Sequence, residues 1–282
     1  MPEKVFLGTA WESGSPYSYP NIHAILHFEA AYSGILTKLG LYSRASGDAK
    51  LNLYEISGGS ATNLLYADDT GMYCITDQMN HLDISSAKIS VISGTKYGIG
   101  VITGTPDVIS TNAQSGARSY KTGLNYSTFI APDPVSGYTD QSSISNVFSL
   151  VAYGVEPPTI SSISDSLVYD GQTGVSISGS DFMASGATLE ICDGPVYATA
   201  NKISQTITNQ TDSNIEFTVV NTVPFYGDCY LFITTSLGQR NSTGYKLGFL
   251  SEFKGKLKKA MVFNRILNAH EIKSLYNRSR IG

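Results

Sequence analysis

The chain is dominated by short apolar runs, each cut off by a turn signal before it could complete two or three turns of helix. His23–Phe28, Ile35–Tyr42, Lys50–Ile56, Asn63–Tyr66, Lys88–Ile92, Tyr97–Ile102 and Val147–Tyr153 read as strands. Ser46-Gly47-Asp48, Ser57-Gly58-Gly59, Ser93-Gly94 and Gly104-Thr105-Pro106 separate them, residues chosen where the backbone must reverse. This punctuation predicts an all-β protein, with a sandwich or jelly roll over residues 1–156. Pro106 to Ser145 shows no clear period; a stretch of that length inside a compact domain is a functional loop or a misread pair of strands.

The sharpest break is Glu156-Pro157-Pro158-Thr159. The residue before each proline is forced to be extended, and proline cannot donate to a sheet ladder. A linker is expected there, with a second sandwich over 157–248. Charge changes sign near Gly248. Residues 249–282 carry eight basic and two acidic side chains, so a tail of +6 follows a body of −10. Nucleic acid, an acidic partner or the chain's own body could take such a tail. Only 15% of residues are charged, against roughly 25% in ordinary soluble domains. The 27 glycines and 18 tyrosines suit turns and strand faces. Cys74, Cys192 and Cys229 are too few and too dispersed for a disulfide framework or a zinc site. A single Cys192–Cys229 bond and two reduced, buried thiols both remain open. The start lacks the apolar core of a secretory signal, and no run approaches a membrane span.

The tail is specified locally. After the alternating run Phe253-Lys-Gly255-Lys-Leu257, Asn268 and Glu271 make a capping box, Leu267 and Ile272 a hydrophobic staple, and Ile272, Leu275 and Tyr276 one apolar face. Phe253-x-Gly255-x-Leu257, Asn264-Arg265-x-Leu267 and Glu271-Ile272-x-x-Leu275-Tyr276 resemble the closing piece of the laminin-G/concanavalin-A-like jelly-roll family. That resemblance implies a short strand and helix at 249–282 and a role in surface recognition. Pro158-Thr-Ile160, then Gly174-Val175-Ser-Ile177-Ser-Gly179-Ser-Asp181-Phe182, then Asn214-Ile215-Glu-Phe217 and Tyr230-Leu-Phe232, resemble the immunoglobulin-like IPT/TIG family. Gly34 to Tyr42, Lys50 to Tyr54 and Gly94 to Val101 look like β-sandwich modules of phage fibres and carbohydrate-binding proteins.

No catalytic constellation stands out, and no cofactor or metal is expected. His23 and His27 would suit a metal on a helix, but on a strand they lie two rungs apart on one face. His81 reads as a loop residue and His270 as part of the capped helix. Asp68-Asp69-Thr70-Gly71 and Asp77 cluster carboxylates as calcium sites do, although acidic turns are the commoner meaning. Trp11, Tyr17 and Tyr19 gather near the start; Tyr120, Tyr126, Phe129 and Tyr138 populate the long unassigned stretch. Flat rings among polar groups grip sugars or protein partners, so Tyr120, Tyr126 and Tyr138 are the candidate sugar contacts. Lys254, Lys256, Lys258, Lys259 and Arg265 are the candidate docking residues.

Together these readings predict a non-enzymatic phage virion protein: a head decoration, head fibre, or tail or baseplate component. It would assemble with copies of itself and other virion proteins, touch host glycans, and enter neither nucleic acid nor membrane. The competing reading is a carbohydrate-binding or adhesion module of a bacterial surface protein.

Overall fold

The computed structural model describes residues 3–9, 15–17, 20–105, 109–112, 115–145, 147–222 and 227–249. Within them the chain is all-β, with two single-turn 3-10 segments at Ser85–Ala87 and Tyr126–Thr128 and no helix long and apolar enough to cross a membrane. The expected strand and helix at 249–282, with the five docking residues, lie outside the described residues, as do Trp11 and Tyr19.

Four antiparallel-dominated sheets are built. Sheet 1 runs Lys4–Gly8, Leu150–Val155, Gly34–Ser43, Ile109–Asn112, Val147–Phe148; Ser15–Tyr17, Gln78–Asp83 and Ser90–Val91 add to its members. Sheet 2 runs Thr139–Ile144, Gly116–Lys121, His23–Glu29, Lys96–Thr103, Gly47–Ser57, Ser60–Ala67, with Met72–Cys74 on Gly47–Ser57. Alternation assigns the two faces of sheet 2. Ala24, Leu26, Leu51, Leu53, Ile99 and Val101 point into the core shared with Leu36, Leu39, Leu41 and Leu150 of sheet 1. Ile25, Tyr54 and Ile102 point the other way, where Phe129 and Ala131 cover them. The central strands are therefore buried on both faces, which explains their nearly unbroken apolar runs. Leu53 and Ile99 are wholly buried, and each such side chain contributes about 1.5–3 kcal/mol.

Sheet 3 runs Thr159–Ile163, Val175–Ser180, Asn214–Thr218, Thr206–Gln210. Sheet 4 runs Leu167–Val168, Tyr245–Phe249, Gly227–Thr234, Thr188–Cys192, Lys202–Ser204, the first pair parallel. Val175, Ile177, Ile215 and Phe217 pack against Leu189, Ile191, Leu231 and Ile233. This core shares no residue with the cores before Glu156. Residues 1–250 nonetheless form one compact unit. At the junction Gln239 donates from Nε2 to the Val155 carbonyl at 3.0 Å, and Lys4 pairs with Glu156.

Three expectations need correction. The segment 106–145 holds three strands rather than a pair, Ile109–Asn112, Gly116–Lys121 and Thr139–Ile144, with a long connection over 122–138 between the last two. Their sequences hide the period, because Gly116-Ala-Arg-Ser-Tyr puts few apolar residues on either face. His81 sits on the strand Gln78–Asp83, opposite Gly40, its ring edge-on to Tyr153 at 5.4 Å. A Cβ at Gly40 would come within 3.3 Å of His81 Nδ1. Only Ser90–Val91 of the expected Lys88–Ile92 is strand, since Lys88 takes a left-handed φ of 51° and closes a 3-10 turn.

Candidate functional site

The outer face of sheet 2 gathers most of the residues that could perform chemistry. Lys96–Thr103 crosses its middle with Gly98 and Gly100 on that face. A Cβ at Gly100 would lie 2.6 Å from His23 Nε2 and 3.0 Å from Tyr54, so glycine is what admits those two rings. Over them lies the segment 122–138. It is fastened along its length: Leu124 N and Tyr126 N donate to Asn21, Ala131 N to Asp69, and Val135 N to the Thr62 carbonyl, while Asp133 accepts from Leu64 N. Lys50, itself buried, donates from Nζ to the Phe129 carbonyl at 2.9 Å. The segment is a strap.

His23 is the centre of this arrangement. It is fully buried, with Phe129 4.6 Å and Tyr138 5.6 Å away between ring centroids. Asn52 Oδ1 accepts from Asp68 N, which turns its amide group towards His23 Nε2 at 3.5 Å. Nδ1 then carries the proton and donates to Tyr138 Oη at 2.6 Å. Burial pushes the His23 pKa down to about 3, so the ring is neutral at physiological pH. Burial likewise raises the Tyr54 and Tyr138 hydroxyls above the ordinary range. Burial, then Asp48 and Asp68, raises Tyr126 to about 12. Near neutral pH the His23 ring is therefore neutral and the three tyrosine hydroxyls keep their protons.

A second cluster brings a serine, a histidine and an aspartate together. His27 Nε2 is 3.0 Å from Ser119 Oγ, which donates to Asp140 Oδ1 at 2.5 Å; Ser60 donates to Asp140 Oδ2 at 2.5 Å. The order is wrong for nucleophilic catalysis. A base must accept the serine proton and be oriented by the carboxylate. Here the serine proton is committed to the carboxylate, and Ser119 is wholly buried. Two serine bonds hold the Asp140 carboxyl below its usual range, and burial lowers His27. The cluster ties the strands His23–Glu29, Gly116–Lys121 and Thr139–Ile144 together.

The three candidate sugar-binding tyrosines do not form one platform. Tyr120 lies on the inner face of sheet 2, against the shared core. Tyr126 and Tyr138 belong to the strap and turn towards the sheet. A depression of about 320 Å³ remains on the strap, lined by Lys121, Leu124, Asn125, Ile130 and Tyr138, with Ile130 74% exposed. In the acidic turn Asp68 Oδ1 accepts from Thr70 Oγ1 and Gly71 N while its Oδ2 is buried without a hydrogen-bond partner among the described residues, and Asp77 pairs with Arg44 at 2.6 Å. Cys74, Cys192 and Cys229 are all buried and unbonded. Cys192 stands opposite Tyr230 in register, so Cys229, one residue before Tyr230, points to the other face of sheet 4.

Sequence reasoning missed the His23 centre and Ser119. The signal was present in Gly98-x-Gly100 within a strand, which marks a face that large side chains must approach.

No known family's sequence profile matches the chain. No curated protein is similar to it at a significant level. Among solved structures, a fungal alcohol oxidase of the AA5 family, in complex with copper, aligns with 84% of this chain at a TM-score of 0.27 and 12% identity. The alignment spans 63% of that oxidase, and at this score it carries no chemistry to the present chain.

Proposed function

We propose that this chain is a non-enzymatic structural protein of a phage virion, serving in a head decoration, head fibre, tail or baseplate and contributing to attachment at the host surface. The observation that carries the reading is the state of its thiols. β-sandwich modules that work outside cells are commonly stapled by disulfides formed in oxidising compartments. Here three cysteines are buried and unbonded, and Cys192 and Cys229 point to opposite faces of one sheet. Such a protein folds in a reducing cytoplasm, and lysis is the route by which it reaches the outside.

The chemistry supports the same direction. His23, Tyr138, Lys50, His27, Ser119 and Asp140 are spent on holding a strap and joining strands. The basic side chains Lys254, Lys256, Lys258, Lys259 and Arg265 supply a charged contact to an acidic neighbour, such as the −10 body of another copy. Such a contact weakens with salt.

Gradient-purified particles from a lysate, analysed by mass spectrometry and by gold-labelled antibody in electron microscopy, test the proposal. The protein is expected at a fixed copy number per particle, with label on the particle surface. Its presence only in the bacterial envelope would overturn the virion reading in favour of an adhesion module.

A further inference from the structure

A groove of about 350 Å³ opens at the edge of the first sandwich, away from the strap. Val147–Phe148 is the edge of sheet 1 and Thr139–Ile144 the edge of sheet 2. Gly116 pairs with Ile144 and Arg118 with Gln141, so the edge strand carries one extra residue, a bulge beside the groove. Arg118 and Gln141 share the inner face of sheet 2 with Tyr120, where the rest of the sandwich places apolar side chains. They are bound to each other, Arg118 Nε donating to Gln141 Oε1 at 2.8 Å, and the guanidinium lies 5.0 Å over the Tyr120 ring. That leaves the terminal guanidinium N–H groups and the Gln141 amide without a partner among the described residues. Tyr17, braced on Phe148 at 4.7 Å, forms the aromatic wall, and Thr111, Ser143 and Ser145 add hydroxyls. No carboxylate lines the groove among the described residues.

We propose that this groove binds a carboxylate-bearing sugar, such as a uronic acid unit of a surface polysaccharide. A guanidinium with its outer N–H groups unused is a fork for a carboxylate. The fixed glutamine and the hydroxyls match sugar hydroxyls, and a tyrosine ring gives a flat apolar wall for the pyranose. Arg118, the one cation lining the groove among the described residues, stands on a body of net −10, so attraction is local to the groove and not a general affinity for anions. This inference rests on the attachment part of the proposed function. It is tested in solution, so it can fail while the virion assignment stands, and the reverse.

The experiment is calorimetric titration of the full chain with tetragalacturonate, with its methyl ester, and with acetate as a bare carboxylate. The acid is expected to bind, with the ester and acetate each about tenfold weaker or worse. Arg118→Gln should lose about tenfold, Arg118→Lys less, and Tyr17→Ala a few-fold, while Tyr73→Ala, a distant exposed ring, should bind like the native chain. Circular dichroism checks that each variant folds. If Arg118→Gln does not, shifts of the Gln141 side-chain amide resonances on titrating the native chain replace it. Equal binding of acid and ester, binding unchanged in Arg118→Gln, an unmoved Gln141 amide, acetate binding as well as the sugar, or no binding of the acid would each overturn the proposal.

Discussion

The two sandwiches solve the same packing problem with different amounts of polar chemistry. The second uses one core between two sheets, and its strands alternate cleanly. In Asn214–Thr218 only Ile215 and Phe217 are buried, and Asn214, Glu216 and Thr218 face outwards. The first adds a layer, because sheet 2 is covered on its outer face by a strap whose backbone must be satisfied away from water. Lys50 is buried there and meets the Phe129 carbonyl of the strap, His23 meets the Tyr138 hydroxyl, and Asn52, Asp68 and Ser119 are buried on the same side among bonds to the sheet and its turns. Every histidine among the described residues belongs to the first sandwich. Buried polar side chains in the first sandwich thus fasten either the strap, as Lys50 and His23 do, or neighbouring strands, as Ser119 and Asp140 do.

The comparison can be broken most forcefully in the cores. Phe217 is wholly buried in the second sandwich, and Phe217→Ala should cost about 3–5 kcal/mol. Leu53→Ala in the first should cost about 2–5 kcal/mol. Because the cores share no residue, denaturation followed by hydrogen exchange should show Phe217→Ala loosening strands after Thr159 and Leu53→Ala loosening strands before Glu156. Both variants loosening both sandwiches equally would show a single cooperative unit.

Acid is expected to separate the two next. The folded-state pKa of His23 is depressed from 6.5 to about 3. The unfolded chain therefore binds a proton that the folded chain refuses. Stability due to this group is complete above about pH 6.5 and falls as pH drops towards 3. At pH 4.5 the loss should be roughly 2–3 kcal/mol, borne by the first sandwich alone. His23→Asn should flatten the pH dependence of its denaturation midpoint in that window. An equal slope in both sandwiches would contradict the assignment.

Lys50→Met keeps the stem and removes the amine that meets the Phe129 carbonyl. An unpartnered buried carbonyl costs about 1–3 kcal/mol, and the strap should become the first site cut in limited proteolysis. Unchanged cleavage would mean that the strap is held by its other bonds. The smallest effect belongs to Lys246, whose bond to Asp228 is fully in water. Lys246→Ala should leave the denaturation midpoint within error.

The same contrast explains what the sequence disclosed. Val175-Ser-Ile177 and Asn214-Ile215-Glu-Phe217 are legible because one face meets the core and the other meets water. His23-Ala-Ile-Leu26 is legible as apolar, yet its two buried faces cannot be told apart by period. Gly116–Lys121 and Thr139–Ile144 stayed hidden because an arginine and a glutamine occupy inward positions at the sandwich edge, where apolar residues would have marked the period. Tyr126 and Tyr138 were visible as aromatics, but whether a loop ring faces a ligand or its own sheet depends on the fastening of 122–138, which involves residues as distant as Asn21 and Thr62. The Asp68 turn was read from composition, and only hydrogen bonds to Thr70 and Gly71 reveal how it is spent.

What sets the first sandwich apart is that His23, Lys50 and Ser119 act as fasteners. Nitrogen-15 NMR of the histidine rings across pH tests it most directly. His23 is expected to keep a neutral ring protonated at Nδ1, with that proton protected from exchange, down to at least pH 4.5. A His23 that titrates near its ordinary value of 6.5, with an exposed and exchanging proton, would contradict it and leave this histidine free to move protons.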